Sequence, residues 1–254
     1  MTTADPKHTR RYDAVICDID GCLGPEKTDP LDADRLRAVA DYNRAAYERA
    51  DRPVVTVCTG RPQPFAEAIC RLIGNHTLPA ICEMGVWLWW PDGNRYERDP
   101  AITPENIHAL HELSEWIERD YGPRGVVQQP GKTCSTSLYH DDTAYLKGLM
   151  PALTERIAAE GWPFRVSDTW LWINIDLTHV SKATGIERMT AQTGLAKARL
   201  AGIGDTMSDK AIRDHVDFFA CPANAKPEIK AHADFVSEHD EVAGVLDILE
   251  HLRG

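Results

Sequence analysis

The 254-residue chain has no cysteine pair at C-x-x-C spacing, no apolar run near the length of a membrane span, and a shortage of positive charge. Each shortage closes off a class of function. Its seven cysteines (17, 22, 58, 70, 82, 134 and 221) lack the spacing of zinc ribbons and dithiol redox sites. Several stand inside apolar runs, where a thiol serves as a small core residue, so a reduced compartment is expected. A bilayer-spanning helix needs about 20 apolar residues in a row. Met1 to Arg11 is polar and charged, unlike the apolar core of a secretory signal. The expectation is cytoplasmic residence and no membrane partner. Lys and Arg total 28 against 39 Asp and Glu, a net charge of −11. Nucleic-acid binding needs a basic field, so no nucleic-acid partner is expected either. An anionic small molecule remains open, provided a metal and a few local cations hold it.

What is present starts with Ala14-Val-Ile-Cys-Asp18-Ile-Asp20-Gly21. An apolar run of strand length ends in two aspartates one residue apart. In an open parallel sheet, chemistry gathers beyond the carboxyl ends of the strands, where these carboxylates would stand. Two carboxylates this close repel, so the pair calls for a cation or a shared proton.

A helical pattern follows from Leu31 to Ala50, then a buried strand Pro53 to Cys58 closed by Thr59-Gly60-Arg61. Pro62 and Pro64 open a helix to about Ile73, and Leu78 to Glu83 reads as a third short strand. Strand, helix, strand, helix, strand at this pitch predicts an α/β fold with a doubly wound, Rossmann-like parallel sheet. The character changes near Gly85. All seven tryptophans (87, 89, 90, 116, 162, 170 and 172) lie between Gly85 and Leu177, and six of the seven cysteines lie outside that window. The shift predicts an inserted α+β cap domain over 85–177, with 1–84 and 178–254 forming the core domain. Within the insert the pattern gives a hairpin over 86–96, helices over 103–120 and 142–160, and strands over 133–140, 164–166 and 170–175. From His179 the first pattern resumes: a helix after Lys182, a strand ending in Gly204-Asp205-Thr-Met-Ser-Asp209, and a closing amphipathic helix.

Four groups now stand at strand ends or helix starts of the core: Asp18 with Asp20, Thr59-Gly60, Lys182, and Asp205 with Asp209. Singly, each is weak, since a Thr-Gly is usually a turn and a Lys opening a helix is usually solvated. In this order they supply what a phosphate site needs. There are carboxylates for a hard divalent cation, a hydroxyl with backbone amides for phosphoryl oxygens, and a fixed positive charge.

These segments resemble the four motifs of the haloacid dehalogenase (HAD) superfamily: Asp18-Ile-Asp20-Gly21, Thr59-Gly60-Arg61, Lys182 and Gly204-Asp205-Thr-Met-Ser-Asp209. The insert between the second and third motifs resembles the type IIB, Cof-like branch. Pro79-Ala-Ile-Cys-Glu83 and Cys221-Pro-Ala-Asn224-Ala are similar to segments of archaeal-type phosphoglycolate phosphatases and their sugar-phosphatase relatives. The resemblance implies a Mg²⁺-dependent phosphatase of a small phosphorylated metabolite, either phosphoglycolate or a sugar phosphate. It implies Asp18 as nucleophile and Asp20 as general acid and base. It also implies Mg²⁺ on Asp18, the Asp20 carbonyl and Asp205, with Gly21, Thr59, Gly60 and Lys182 around the phosphate and Asp209 and Asn224 in support. Cys22, Met84 and Ser208 depart from the Thr, Asn and Asn usual at those places.

Substrate choice is expected to come from the cap, because the core reads only phosphate. Lys132, before the strand Thr133 to Ser137, is the candidate for a substrate carboxylate or hydroxyl, against the plainer reading of a solvated lysine. The tryptophans are expected to be cap core rather than a sugar platform. Two other functions stay open: a sugar phosphomutase on the same fold, and a catalytically inactive phosphate-binding regulator. The intact acid–base set weighs against the latter.

Overall fold

The computed structural model describes residues 10–26, 28–169 and 171–253. Along the chain, β1 (Ala14–Cys17), α1 (Ala33–Arg49), β2 (Val54–Val57) and α2 (Gln63–Leu72) are followed by β3 (Ala80–Cys82), β4 (Trp87–Trp90) and β5 (Arg95–Arg98). Then come α3 (Pro104–Tyr121), β6 (Val127–Gln128), β7 (Thr136–Tyr139), α4 (Thr143–Gly148), α5 (Met150–Glu160), β8 (Phe164–Asp168) and β9 (Trp172–Leu177). The chain closes with α6 (Lys182–Thr193), β10 (Leu200–Ile203), α7 (Lys210–His215), β11 (Phe218–Cys221), α8 (Pro227–Lys230), β12 (Phe235–Val236) and α9 (Glu241–His251). None of the helices is long and apolar enough to cross a membrane among the described residues.

β1 is buried along its whole length and lies inside a five-stranded parallel sheet of order β12-β11-β10-β1-β2. Its side chains alternate between two cores. Val15 and Cys17 pack with Leu36 of α1, Ile69 of α2 and Val245 of α9, while Ala14 and Ile16 pack with Ile186 of α6 and Ile212 of α7. Apolar residues at every position are what a strand covered on both faces requires. The sheet is doubly wound, as the sequence pattern predicted.

The third strand departs from the prediction. β3 touches the parallel sheet through a single bridge, Cys58 to Ile81, and pairs instead with β4 in an antiparallel β3-β4-β5 sheet. The hairpin expected in the insert therefore continues a strand expected in the core, and the 84/85 boundary falls between two paired strands. Leu88 and Trp89 belong to the two cores that flank the parallel sheet. Tryptophan is thus not confined to cap packing.

The remaining strands of the insert form an antiparallel sheet of order β6-β7-β9-β8. Its apolar face (Leu138, Ile173, Ile175, Leu177) packs on Leu113 and Ile117 of α3 and Leu153 and Ile157 of α5. The helix expected over 142–160 is broken at Leu149, just before Pro151, into α4 and α5. A proline cannot donate the amide that a continuous helix would need there.

Candidate active site

The carboxyl end of the parallel sheet carries the expected groups. Asp18 follows β1, and its amide still bonds to Ile203 of β10 (3.0 Å). Its Oδ1 accepts from the Ile19 amide (2.8 Å), which fixes the carboxylate against its own turn. Ile19 is buried and packs away from the cavity, while Asp18 and Asp20 both line it.

Lys182 opens α6 behind the Ser181 cap and reaches Asp18 Oδ2 at 3.1 Å and Asp209 Oδ1 at 2.6 Å. It is 2% exposed, and Asp209 is fully buried. Burial works against the ammonium, but Asp18 and Asp209 together outweigh it and hold the lysine well above its usual range. Asp209 uses its other oxygen on the amides of Asp205 (2.9 Å) and Thr206 (3.1 Å), so one side chain fixes both the lysine and the loop after β10. A side chain on Gly204 would collide with it, the Cβ lying 2.3 Å from that of Asp209.

Oxygens of Asp18, Asp205 and Asp209 lie within 4.8 Å of one another. Burial, then the Asp209 charge, pushes the Asp18 carboxyl well up. Asp205 is pushed up to about 9 by burial, then by Asp209 and Asp18. Asp205 Oδ1 is buried without a hydrogen-bond partner. Gly21, at φ +74°, makes room for this carboxylate, since a Cβ there would lie 2.0 Å from Asp205 Oδ2. Crowded, mutually repelling carboxylates with an orphaned oxygen fit a hard divalent cation. The Asn224 amide donates to the Gly21 carbonyl (2.8 Å), steadying that turn.

Thr59 is fully buried beneath the cavity wall, and its hydroxyl accepts from the Arg61 amide (3.1 Å). Gly60, Arg61 and Met84 form the wall itself, with Met84 Sδ 3.4 Å from the Cβ position on Gly60. Arg61 is a residue whose part the motif reading did not give. Its Nε lies 2.9 and 3.0 Å from the two oxygens of Asp20, and its guanidinium also lies over the Phe65 ring. Both carboxylate oxygens of Asp20 are thus engaged by Arg61.

Side chains of the insert line the opposite side of a cavity of about 350 Å³. Lys132 lines it and donates to Ser137 Oγ (2.5 Å), so its side chain faces the same space as Asp18. Glu26, Arg165, Trp172, Asn174 and Asp176 line it too, and motif reading missed all five. The signal was there in Trp172-Ile-Asn174-Ile-Asp176-Leu, where polar and apolar residues alternate at the period of a half-buried strand. Trp172 lines the cavity and so departs from the expectation that the tryptophans are cap core.

Core and cap are joined by Glu83. Its Oε1 accepts from the amides of Thr133 and Cys134 (both 2.7 Å) and from Ser135 Oγ (3.0 Å), and its Oε2 from Thr133 Oγ1 (2.9 Å). Its amide and that of Met84 bond to the carbonyls of Arg61 and Thr59 (2.8 and 3.0 Å). Glu83 and Met84 hold φ of +48° and +56° to do this.

Residues 128–249 match the family of haloacid dehalogenase-like hydrolases. A phosphoglycolate phosphatase of Methanothrix thermoacetophila is 28% identical over 95% of this chain and 97% of its own. One from Archaeoglobus fulgidus is 24% identical over 94% and 96%. Among solved structures, a Thermoplasma acidophilum protein superposes with a TM-score of 0.73 at 19% identity, covering 95% of this chain and 98% of its own. A haloacid dehalogenase-like hydrolase from Bacteroides thetaiotaomicron gives 0.70 at 13%, over 95% and 99%. At such identities the superpositions establish a shared fold.

Proposed function

We propose that this chain is a phosphatase of the haloacid dehalogenase superfamily, hydrolysing a small phosphomonoester through an aspartyl-phosphate on Asp18. The observation that carries this reading is Lys182, buried and tied to Asp18 on one side and Asp209 on the other. A binding module has no use for a carboxylate held on one oxygen by its own turn and on the other by a buried lysine.

Asp18 attacks phosphorus, forming a carboxyl O–P bond as the ester P–O bond breaks. Asp20 gives the departing alkoxide its proton, then takes one from the water that cleaves the Asp18–phosphorus bond. Lys182 offsets charge on Asp18 and on the equatorial oxygens, and amides around Gly21 and Gly60 supply further donors. Asp18, Asp205 and the Asp20 carbonyl are the groups suited to hold Mg²⁺, which when bound would neutralise phosphoryl charge beside Asp18. The orphaned Asp205 Oδ1 supports that assignment. Phosphoglycolate and sugar phosphates are the first substrates to assay, the former because relatives at 24–28% identity bear its name.

The test is phosphate release from such a panel, with an aryl phosphate included. Chelator should abolish release and Mg²⁺ restore it. Ca²⁺ should support little, since its looser coordination misplaces the nucleophile. Full turnover in chelator would sink the reading.

A further inference from the structure

The cap sheet is amphipathic through its thickness. On β9, Ile173, Ile175 and Leu177 enter the cap core, while Trp172, Asn174 and Asp176 line the cavity. Pairing sets Ser137 of β7 opposite Asn174, and Arg165 of β8 opposite Asp176, on that same polar face. Most of these polar groups have partners within the protein. Lys132 donates to Ser137, and the Ser137 hydroxyl donates to Asn174 Oδ1 (2.5 Å). Arg165 places its guanidinium on the carbonyls of Leu177, Thr178 and Val180 (2.5, 3.2 and 2.8 Å).

Asp176 is the exception. It is 3% exposed, and its Oδ1 is buried with no hydrogen-bond partner. Among the described residues no cation comes within the 4.0 Å of an ion pair, Lys132 and Arg165 included. A buried carboxylate without a donor is among the costliest arrangements in a folded protein. Asp176 stands in the cavity wall, so its donor comes from what fills the cavity, ligand or water.

We propose that Asp176 accepts a hydrogen bond from a hydroxyl of the leaving group, with Lys132 as the neighbouring donor, so that the site takes the phosphate ester of a polyol or sugar in preference to that of glycolate. This rests on the phosphatase reading above and narrows its substrate class. Adjacent hydroxyls, one giving and one accepting, complement an acceptor and a donor that face one cavity. Phosphoglycolate cannot do so. Beyond its ester oxygen it offers only a carboxylate, with no proton to give and a charge of the same sign as that of Asp176. The cavity, about 350 Å³, is at the lower end of small-molecule sites and admits more than a two-carbon acid.

The experiment compares kcat/KM on glycerol phosphate, sorbitol 6-phosphate, glucose 6-phosphate, phosphoglycolate and p-nitrophenyl phosphate with Mg²⁺ present. In the wild-type enzyme at least one hydroxyl-bearing ester should exceed phosphoglycolate by about tenfold or more. Asp176→Asn, which keeps the shape and removes the charge, should lower the preferred ester on the order of 10- to 100-fold, mainly through KM. The same change should raise phosphoglycolate relative to it. A wild-type preference for phosphoglycolate over every hydroxyl-bearing ester overturns the proposal without need of a variant. An equal loss on all five esters in Asp176→Asn, or no change in their ratios, overturns it too. Release from none of the five, aryl phosphate included, would instead defeat the phosphatase reading on which it rests.

Discussion

Lys182 and Lys132 face one cavity from opposite sides, and they are held in opposite ways. In the core, Lys182 lies between Asp18 and Asp209, whose charges more than offset the cost of burial and keep it protonated. In the cap, Lys132 has a hydroxyl for its nearest partner, and burial, only partly countered by Asp176 and Glu83, lowers its pKa. The core thus balances its lysine with carboxylates of its own, as a site that handles the same phosphoryl group every time must. The cap leaves charges to be completed from outside. That is how a surface discriminates between ligands, because a group left unpaired by the wrong one is penalised.

The sharpest way to break this contrast is at the nucleophile. Asp18→Asn should fold, since it removes a charge from a crowded buried cluster, yet lose at least roughly three orders of magnitude in kcat on every ester, the scale of losing a catalytic nucleophile. Loss on some esters and not others would mean that the core, too, reads the leaving group. Rapid-quench phosphate release, with circular dichroism as the control for folding, checks both points.

A smaller effect should separate the lysines by pH. Because the Lys132 pKa is lowered, its ammonium is present at low pH and lost as pH rises through a value below the usual lysine range. KM for the preferred ester should therefore climb, by about tenfold, at pH values where a solvated lysine is still charged. Lys132→Arg, which stays protonated throughout, should flatten that climb. No such limb is expected from Lys182, whose pKa is shifted upward. A KM independent of pH in the wild-type enzyme would leave Lys132 without a part in substrate binding.

The same contrast explains what could be read from the sequence. The core site was legible because its residues are fixed by backbone turns. Asp18 must follow β1, Gly21 must leave room for Asp205, and Lys182 must open α6, so spacing carried the information. The doubly wound sheet was legible from strands apolar at every position. The third strand was misplaced because Ala80 to Cys82 is equally apolar whether its partner is parallel or antiparallel, and only the partner decides. The cap face had no motif at all. Asp176 and Arg165 come together through the pairing of β8 with β9, a register that no local pattern specifies. Arg61 was visible as part of a motif, but its hold on Asp20 joins positions 41 residues apart.

The smallest predicted effect lies where the two regions meet. Glu83 takes four hydrogen bonds from Thr133, Cys134 and Ser135, next to Lys132, while its own amide holds the Arg61 carbonyl. Its left-handed backbone, unusual for a residue with a long side chain, persists because these bonds over-determine it. The carboxylate thereby fixes where the segment carrying Lys132 sits relative to the loop carrying Arg61. Glu83→Gln keeps the length but replaces charge-assisted bonds with weaker neutral ones and offers an amide where Thr133 Oγ1 needs an acceptor. A cost of about 1–2 kcal/mol follows, or a fall in Tm of roughly 2–8 °C for a chain of this size. If Glu83 only staples the fold, that fall is the whole effect and kinetic constants stay level. If it positions Lys132, KM for the preferred ester should rise several-fold while kcat on p-nitrophenyl phosphate, whose leaving group offers no hydroxyl to the cap, holds within about twofold. An equal change in both esters would place Glu83 with the core machinery, through the Thr59–Arg61 loop that its backbone supports.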